Sequence, residues 1–149
     1  MRNVAFFFIS FFIIGLAACS PSSGGEDYDL VDGMGKFQRY SQKLSFSLNS
    51  KNWDLADFYL HEIEEIAEDL VHNQIMYEGN NISQQVKQIL IPSIDDLKTE
   101  IDGKNEKNAA KKYTFLIGSC NTCHIATQHQ FIKITMPNSL SVNPYNQQF

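Results

Sequence analysis

Apolar residues recur at intervals of three and four positions through most of the chain, which is the spacing of one face of an α-helix. Strict alternation of apolar and polar residues, which marks β-strands, is almost absent. The pattern predicts four helices, at about residues 30–48, 53–71, 82–101 and 105–127, joined by short polar links. We therefore expect an all-α fold, arranged as an antiparallel four-helix bundle.

The apolar stripes also predict which side chains face the core. On the first helix the stripe is Leu30, Met34, Phe37, Ser41, Leu44 and Leu48. On the second helix it is Leu55, Tyr59, Ile63, Ile66 and Leu70. Pro92 falls inside the third helix, where its missing N–H predicts a kink or a break. Residues 129–149 contain two prolines and no helical period, so we expect an extended C-terminal tail packed across the bundle.

The N-terminus has a different composition. Arg2 precedes an apolar run over residues 4–14 that only Ser10 interrupts. A positive start, a short apolar run and small residues at its end are typical of a secretory signal peptide. The run is shorter than the ~20 residues of a membrane-spanning helix. We therefore expect the chain to be exported.

The end of this segment, Leu16-Ala17-Ala18-Cys19, resembles the lipobox of bacterial lipoproteins. The resemblance implies cleavage before Cys19 and diacylation of its sulfur, with residues 1–18 as the signal peptide and residues 19–29 as a lipidated flexible tether. Two or more acyl chains, at roughly 0.8 kcal/mol per buried CH₂, give a lasting membrane anchor. Ser20 after the cysteine favours, by analogy with lipoprotein sorting, the periplasmic side of the outer membrane.

The charge balance narrows the classes of partner. The chain has 12 Lys and Arg against 17 Asp and Glu, a formal net charge of −5, and no basic block. This composition argues against a nucleic-acid partner, because phosphate neutralisation supplies most of the affinity in such complexes. The hydrophobic fraction of 43% is enough for a packed core and too high for a disordered chain.

The candidate chemistry lies on the fourth predicted helix, in the pentapeptide Cys120-Asn121-Thr122-Cys123-His124. Cys-x-x-Cys-His is the attachment signature of a c-type haem. Residues at positions i, i+3 and i+4 share one face of a helix, so both thiols can reach the two vinyl groups on one porphyrin edge while His124 binds the iron as proximal ligand. A shuffled chain of this composition would contain the motif roughly 0.002 times.

Three other interpretations of the two cysteines remain open. A zinc site requires two further Cys or His ligands. His129 is near the motif, but His61 and His72 lie singly on another predicted helix, and Cys19 is the predicted site of lipidation. A thioredoxin-like motif lies at the start of a helix after a strand, whereas this motif lies deep within a predicted helix. A disulfide between Cys120 and Cys123 would strain a helix. Haem attachment, which follows export, is therefore the favoured interpretation.

Four helices with Cys-x-x-Cys-His on the last one resemble the c-prime (class II) cytochromes, which are four-helix-bundle haem proteins. The resemblance covers roughly residues 30–127, and within it only Cys120, Cys123 and His124 are specific. Class II chains usually place a basic residue shortly after the haem histidine, but here residues 125–128 are Ile-Ala-Thr-Gln. This chain also continues for 25 residues beyond His124, and we expect that tail to shield a haem edge.

The resemblance also suggests where a second iron ligand would come from. The distal face of class II bundles is supplied by the first helix, which makes Met34 the leading candidate. The alternative for Met34 is an ordinary role as a flexible core residue. Met136, just before Pro137, is a second candidate, but the tail would have to wrap around to the opposite haem face. His61, His72 and His129 are expected to be surface or core residues.

These observations predict a haem-c domain over residues 30–149 that carries one covalent haem. We expect a monohaem cytochrome lipoprotein that transfers electrons to periplasmic or membrane redox partners, with its acidic surface favouring a basic docking patch. The alternative is a five-coordinate haem protein that binds NO or CO as a sensor or scavenger. A structural lipoprotein would leave the motif idle. No catalytic Ser/His/Asp set stands out, so we expect no enzyme, and class II chains suggest a homodimer as one assembly.

Overall fold

A computed structural model describes residues 28–137 and 147–148. The predicted signal peptide and most of the predicted tether, including Cys19, lie outside these described residues, so export and lipidation stay predictions. The described chain is dominated by helices, and its strands are pairs of two residues each. The predicted all-α class is confirmed.

Three long helices match the predicted segments closely. Each begins directly after a residue whose side chain accepts hydrogen bonds from free N–H groups of the first turn, which explains where the helix starts. Helix α1 spans Leu30–Asn49, and the Asp29 carboxylate accepts hydrogen bonds from its first turn. Helix α2 spans Trp53–His72 after the cap Asn52. The last long helix, Glu106–Ala126, follows the cap Asn105 and is α5 in chain order.

The third predicted helix is divided by a change in winding. It consists of α3 (Ile82–Gln85), a π-helical turn over Val86–Leu90, and α4 (Ile91–Asp102), with no gap between them. In the π turn the Ile91 N–H donates to the Val86 carbonyl, five residues back. Pro92 explains the irregularity, because it lacks an N–H and its ring crowds the preceding turn of a tight helix. The predicted irregularity is present, but as a wider turn just before Pro92 and not as a break in the chain of helical residues.

The helices enclose one apolar core. Helix α1 packs along α2, α2 along α4, and α4 along α5, which also contacts α1. Among the described residues, the largest fully buried side chains include Leu44, Leu60, Ile63, Leu70, Ile94, Leu97, Ile101 and Leu116.

The predicted core face of α2 was partly wrong. Leu55 is 38% exposed, whereas Ala56 and Leu60 are buried together with Ile63. Both choices are spaced correctly from Ile63, because a helix face can continue through steps of three or of four residues. Packing against the neighbouring helices therefore decides a choice that periodicity alone leaves open.

Two small strand pairs complete the described chain. Strand β1 (Met76–Tyr77) pairs with β2 (Asn80–Asn81) in a hairpin between α2 and α3. Strand β3 (Lys133–Ile134) pairs antiparallel with β4 (Gln147–Gln148) and contacts α5. The tail thus returns onto the last helix. None of the helices in the described part of the chain is both long and apolar enough to cross a membrane.

Candidate functional site

The motif residues lie within the last two turns of α5, and the helix runs through them without interruption. Cys120, Cys123 and His124 therefore share a face, as their spacing predicts. All three line one cavity with a volume of about 410 Å³. Small-molecule and cofactor sites have volumes of roughly 300–1,000 Å³, so the space is of cofactor size.

Most of the cavity wall is apolar. Apolar and aromatic side chains from α1, the α3 region, α5 and the tail form it, among them Leu30, Met34, Phe37, Ile82, Val86, Leu90, Tyr113, Ile117 and Ile134. A flat, largely hydrophobic group would replace water there at a favourable free energy, because burial of apolar surface is worth about 25 cal/mol per Å². The wall therefore suits a porphyrin better than a polar metabolite.

Met34, on the first helix, also lines this cavity, although it is far from the motif in the sequence. Met34 is partly buried on α1 and lines the same space as Cys120 and His124. Met136, the other predicted ligand candidate, is 44% exposed and does not line the cavity, although Thr135 and Pro137 beside it do. Of the two methionines, Met34 is the one whose position agrees with a distal role.

The imidazole of His124 is held in one orientation by the tail. Its Nδ1 lies 2.9 Å from the Ile132 carbonyl oxygen, a distance at which Nδ1–H donates a hydrogen bond. The proton is then on Nδ1, which leaves the Nε2 lone pair available to a metal. Burial lowers the pKa of His124, and the hydrogen bond to Ile132 only partly opposes this effect. The neutral imidazole, which is the form that binds iron, is thus favoured.

The two motif cysteines are free thiols and partly buried. Burial raises the pKa of Cys120 to about 12, and burial also raises the pKa of Cys123. Redox-active cysteines have the opposite property, a lowered pKa that exposes a thiolate. The thioredoxin-like interpretation is therefore disfavoured by both the position and the acidity of these thiols.

The zinc interpretation has no support from the neighbouring residues. Within the described ranges, no group of three or more His, Cys, Asp and Glu side chains is arranged to hold a metal ion. A haem iron needs only the single imidazole from such a group, because the porphyrin supplies four of its ligands. Among the described residues, the donor set of the cavity fits haem and does not fit a tetrahedral zinc site.

The three remaining histidines have different surroundings. His61 is exposed beside Glu64 and Glu65 on α2, and His72 is exposed at the end of that helix. His129 lies in the cavity wall, where its Nδ1 is 2.7 Å from the Thr127 carbonyl and its Nε2 is 3.4 Å from a Glu78 carboxylate oxygen. Sequence pattern alone does not distinguish this wall histidine from a surface one.

A buried tyrosine closes the wall between α1 and α5. The Tyr113 hydroxyl donates to the Ser41 carbonyl at 2.8 Å, and burial raises the pKa of Tyr113. Both residues line the cavity. Ser41 is the small polar residue that interrupts the apolar stripe of α1. A larger side chain at this position would fill part of the cavity, which explains why the residue is small.

Comparison of the chain with protein-family models, with curated proteins and with solved structures finds no match.

Proposed function

We propose that this protein is a monohaem c-type cytochrome lipoprotein that acts in periplasmic electron transfer. Cys120 and Cys123 would hold the haem through two thioethers, and His124 would be the proximal iron ligand. One observation carries the proposal: both thiols and an imidazole with its Nδ1 engaged line a single apolar cavity. A bound haem would supply one-electron exchange at its iron.

The chain's own residues would bind and orient that group. Two thioethers would fix one porphyrin edge to α5, and the Ile132 carbonyl would keep the Nε2 of His124 as the ligand atom. The apolar wall would exclude water from the iron and favour a compact redox site with little rearrangement. No substrate pocket is needed, so an electron carrier is the simpler function and an enzyme the less economical one.

The arrangement of the helices as an antiparallel four-helix bundle is also part of the proposal. Contacts between α1 and α2, α2 and α4, α4 and α5, and α5 and α1 form a closed ring of neighbours. An antiparallel four-helix bundle with short links produces this ring. In such a bundle the first half of α1 would face the last half of α5, which agrees with the presence of Met34 and Cys120 in one cavity.

Met34 would be the sixth iron ligand in the carrier. A second candidate function is a five-coordinate haem protein that binds NO or CO, which would follow if Met34 is a core residue and not a ligand, because the iron would then keep an open position.

The location and partners are proposed from the sequence. Lipidation of Cys19 would anchor the protein on the periplasmic side of a bacterial membrane, with the outer membrane favoured. Redox proteins with a basic docking patch would be its partners, since the chain is acidic. Nucleic acid is not expected as a partner, and a homodimer is one assembly to be tested.

An absorption spectrum of protein produced together with haem-attachment machinery tests these alternatives. The carrier should give a low-spin reduced spectrum that CO leaves unchanged. A high-spin spectrum that changes on addition of CO would replace the carrier with the gas-binding protein. Cys19→Ala is the matched control, because it removes the predicted lipid site and should leave the haem spectrum intact.

A further inference from the structure

Asn121, one of the two unspecified positions of the motif, connects α5 to the tail. Its Oδ1 accepts a hydrogen bond from the Ile134 N–H at 2.8 Å, and its Nδ2 donates to the Ile134 carbonyl at 2.8 Å. The same Nδ2 also lies 3.2 Å from the Ile117 carbonyl within α5. The side-chain amide thus pairs with both backbone groups of a single tail residue, as a neighbouring strand would.

The other motif position makes no such connection. Thr122 is exposed, and its hydroxyl donates to the Gly118 carbonyl of its own helix. Asn121 and Thr122 therefore occupy equivalent places in the motif but differ in their contacts. This difference provides an internal control for any role assigned to Asn121.

The segment held by Asn121 is the one that orients His124. The tail loop, residues 127–134, is fixed at its first end by the Thr127 hydroxyl, which donates to the Cys123 carbonyl at 2.9 Å. Asn121 fixes its second end at Ile134. Ile132, whose carbonyl accepts the hydrogen bond from His124 Nδ1, lies two residues before that second anchor. Asn121 and His124 are about one turn apart on α5, so both act on the same short loop from the same helix.

We propose that Asn121 is a positioning residue that tunes the haem potential through His124. This inference rests on the proposed haem function. By holding the tail loop, Asn121 keeps the Ile132 carbonyl against Nδ1–H, and that hydrogen bond makes the imidazole a stronger electron donor. A stronger donor stabilises the ferric iron relative to the ferrous iron. Asn121 therefore lowers the reduction potential without touching the haem iron.

The test compares the haem-loaded wild type with Asn121→Leu, Asn121→Ser and Thr122→Val. Leu has a similar volume but no amide, and Ser is too short to reach Ile134. Both Asn121 variants should raise the reduction potential, with roughly a tenfold change in the equilibrium between oxidised and reduced haem, which is about 59 mV for one electron. Exchange of the Ile134 amide hydrogen should also be faster in both variants, while Thr122→Val should match the wild type in both measurements.

Several results would overturn the inference. An unchanged reduction potential together with faster Ile134 exchange would show that Asn121 holds the Ile134 backbone but does not tune the iron. An equal shift in Thr122→Val would assign the effect to the motif in general. Loss of haem from both Asn121 variants, but not from Thr122→Val, would make Asn121 an attachment residue instead. A wild type without haem would refute the proposed function itself, which is a different result from all of these.

Discussion

Two regions of the helical core differ in how completely side chains fill the space between the helices. In the packed region, residues such as Leu44, Leu60, Ile63 and Leu97 are almost fully buried against one another. In the cavity region, Met34 and Cys120 are only partly buried, and both line a space of about 410 Å³. Protein interiors are normally close-packed, with few voids larger than a water molecule. The contrast agrees with the proposed function, in which the cavity region would hold a haem.

Individual polar groups of the two regions also differ in their hydrogen-bond partners. Ser47 in the packed region bonds to the Lys43 carbonyl of its own helix and serves only local structure. In the cavity region, His124 and Asn121 bond instead to another segment, the tail loop, at residues eight and thirteen positions further along the chain. The Ser47 hydrogen bond therefore stabilises one helix, whereas the hydrogen bonds of His124 and Asn121 fix the tail loop against α5.

The largest expected effect is on stability in the packed region. Leu97→Ala should lower the free energy of unfolding by about 3 kcal/mol, because it leaves a cavity at a fully buried position. Leu55→Ala, which removes the same atoms from a side chain that is 38% exposed, should cost far less. Denaturant titration of both variants measures this. Equal losses would mean that the assigned core face of α2 is wrong.

A second prediction concerns the thiols of the cavity region. In haem-free protein, Cys120 should be alkylated at pH 8 at least tenfold more slowly than in the same protein unfolded in denaturant, because burial raises its pKa to about 12. Since the thiolate is the reactive form, the rate should increase as the pH rises toward that pKa. Mass spectrometry of quenched samples gives the rates. Equal rates in the folded and unfolded protein would contradict the burial of this thiol, and haem-loaded protein should not be alkylated at Cys120 at all.

A small effect on stability is expected for Met34→Leu. The two side chains have similar volumes, so the change should cost less than about 1.5 kcal/mol. The haem spectrum should nevertheless change from low spin to high spin, because leucine has no ligand atom for iron. A variant with an unaltered spectrum would show that Met34 is a core residue and that the sixth ligand lies elsewhere.

The helices and the motif were predictable, but the partners of the motif were not. Periodicity and capping residues such as Asn52 predicted the helix ends to within a few residues. Pro92 indicated that the third helix would be irregular, although not that the irregularity would be a π turn. The hydrogen bond from His124 goes to a backbone carbonyl eight residues away, and a backbone acceptor leaves no signal in a side-chain pattern. The hydrogen bonds between the Asn121 side chain and the Ile134 backbone could not be predicted for the same reason.

The central claim is that Cys120 and Cys123 carry a covalent haem. Its most direct test is the intact mass of protein purified from a host with haem-attachment machinery, compared with the Cys120→Ala/Cys123→Ala double variant. We expect red wild-type protein that is heavier than the double variant by about 616 Da, the mass of haem, beyond the small change due to the substitutions. Colourless wild-type protein without that additional mass would contradict the account.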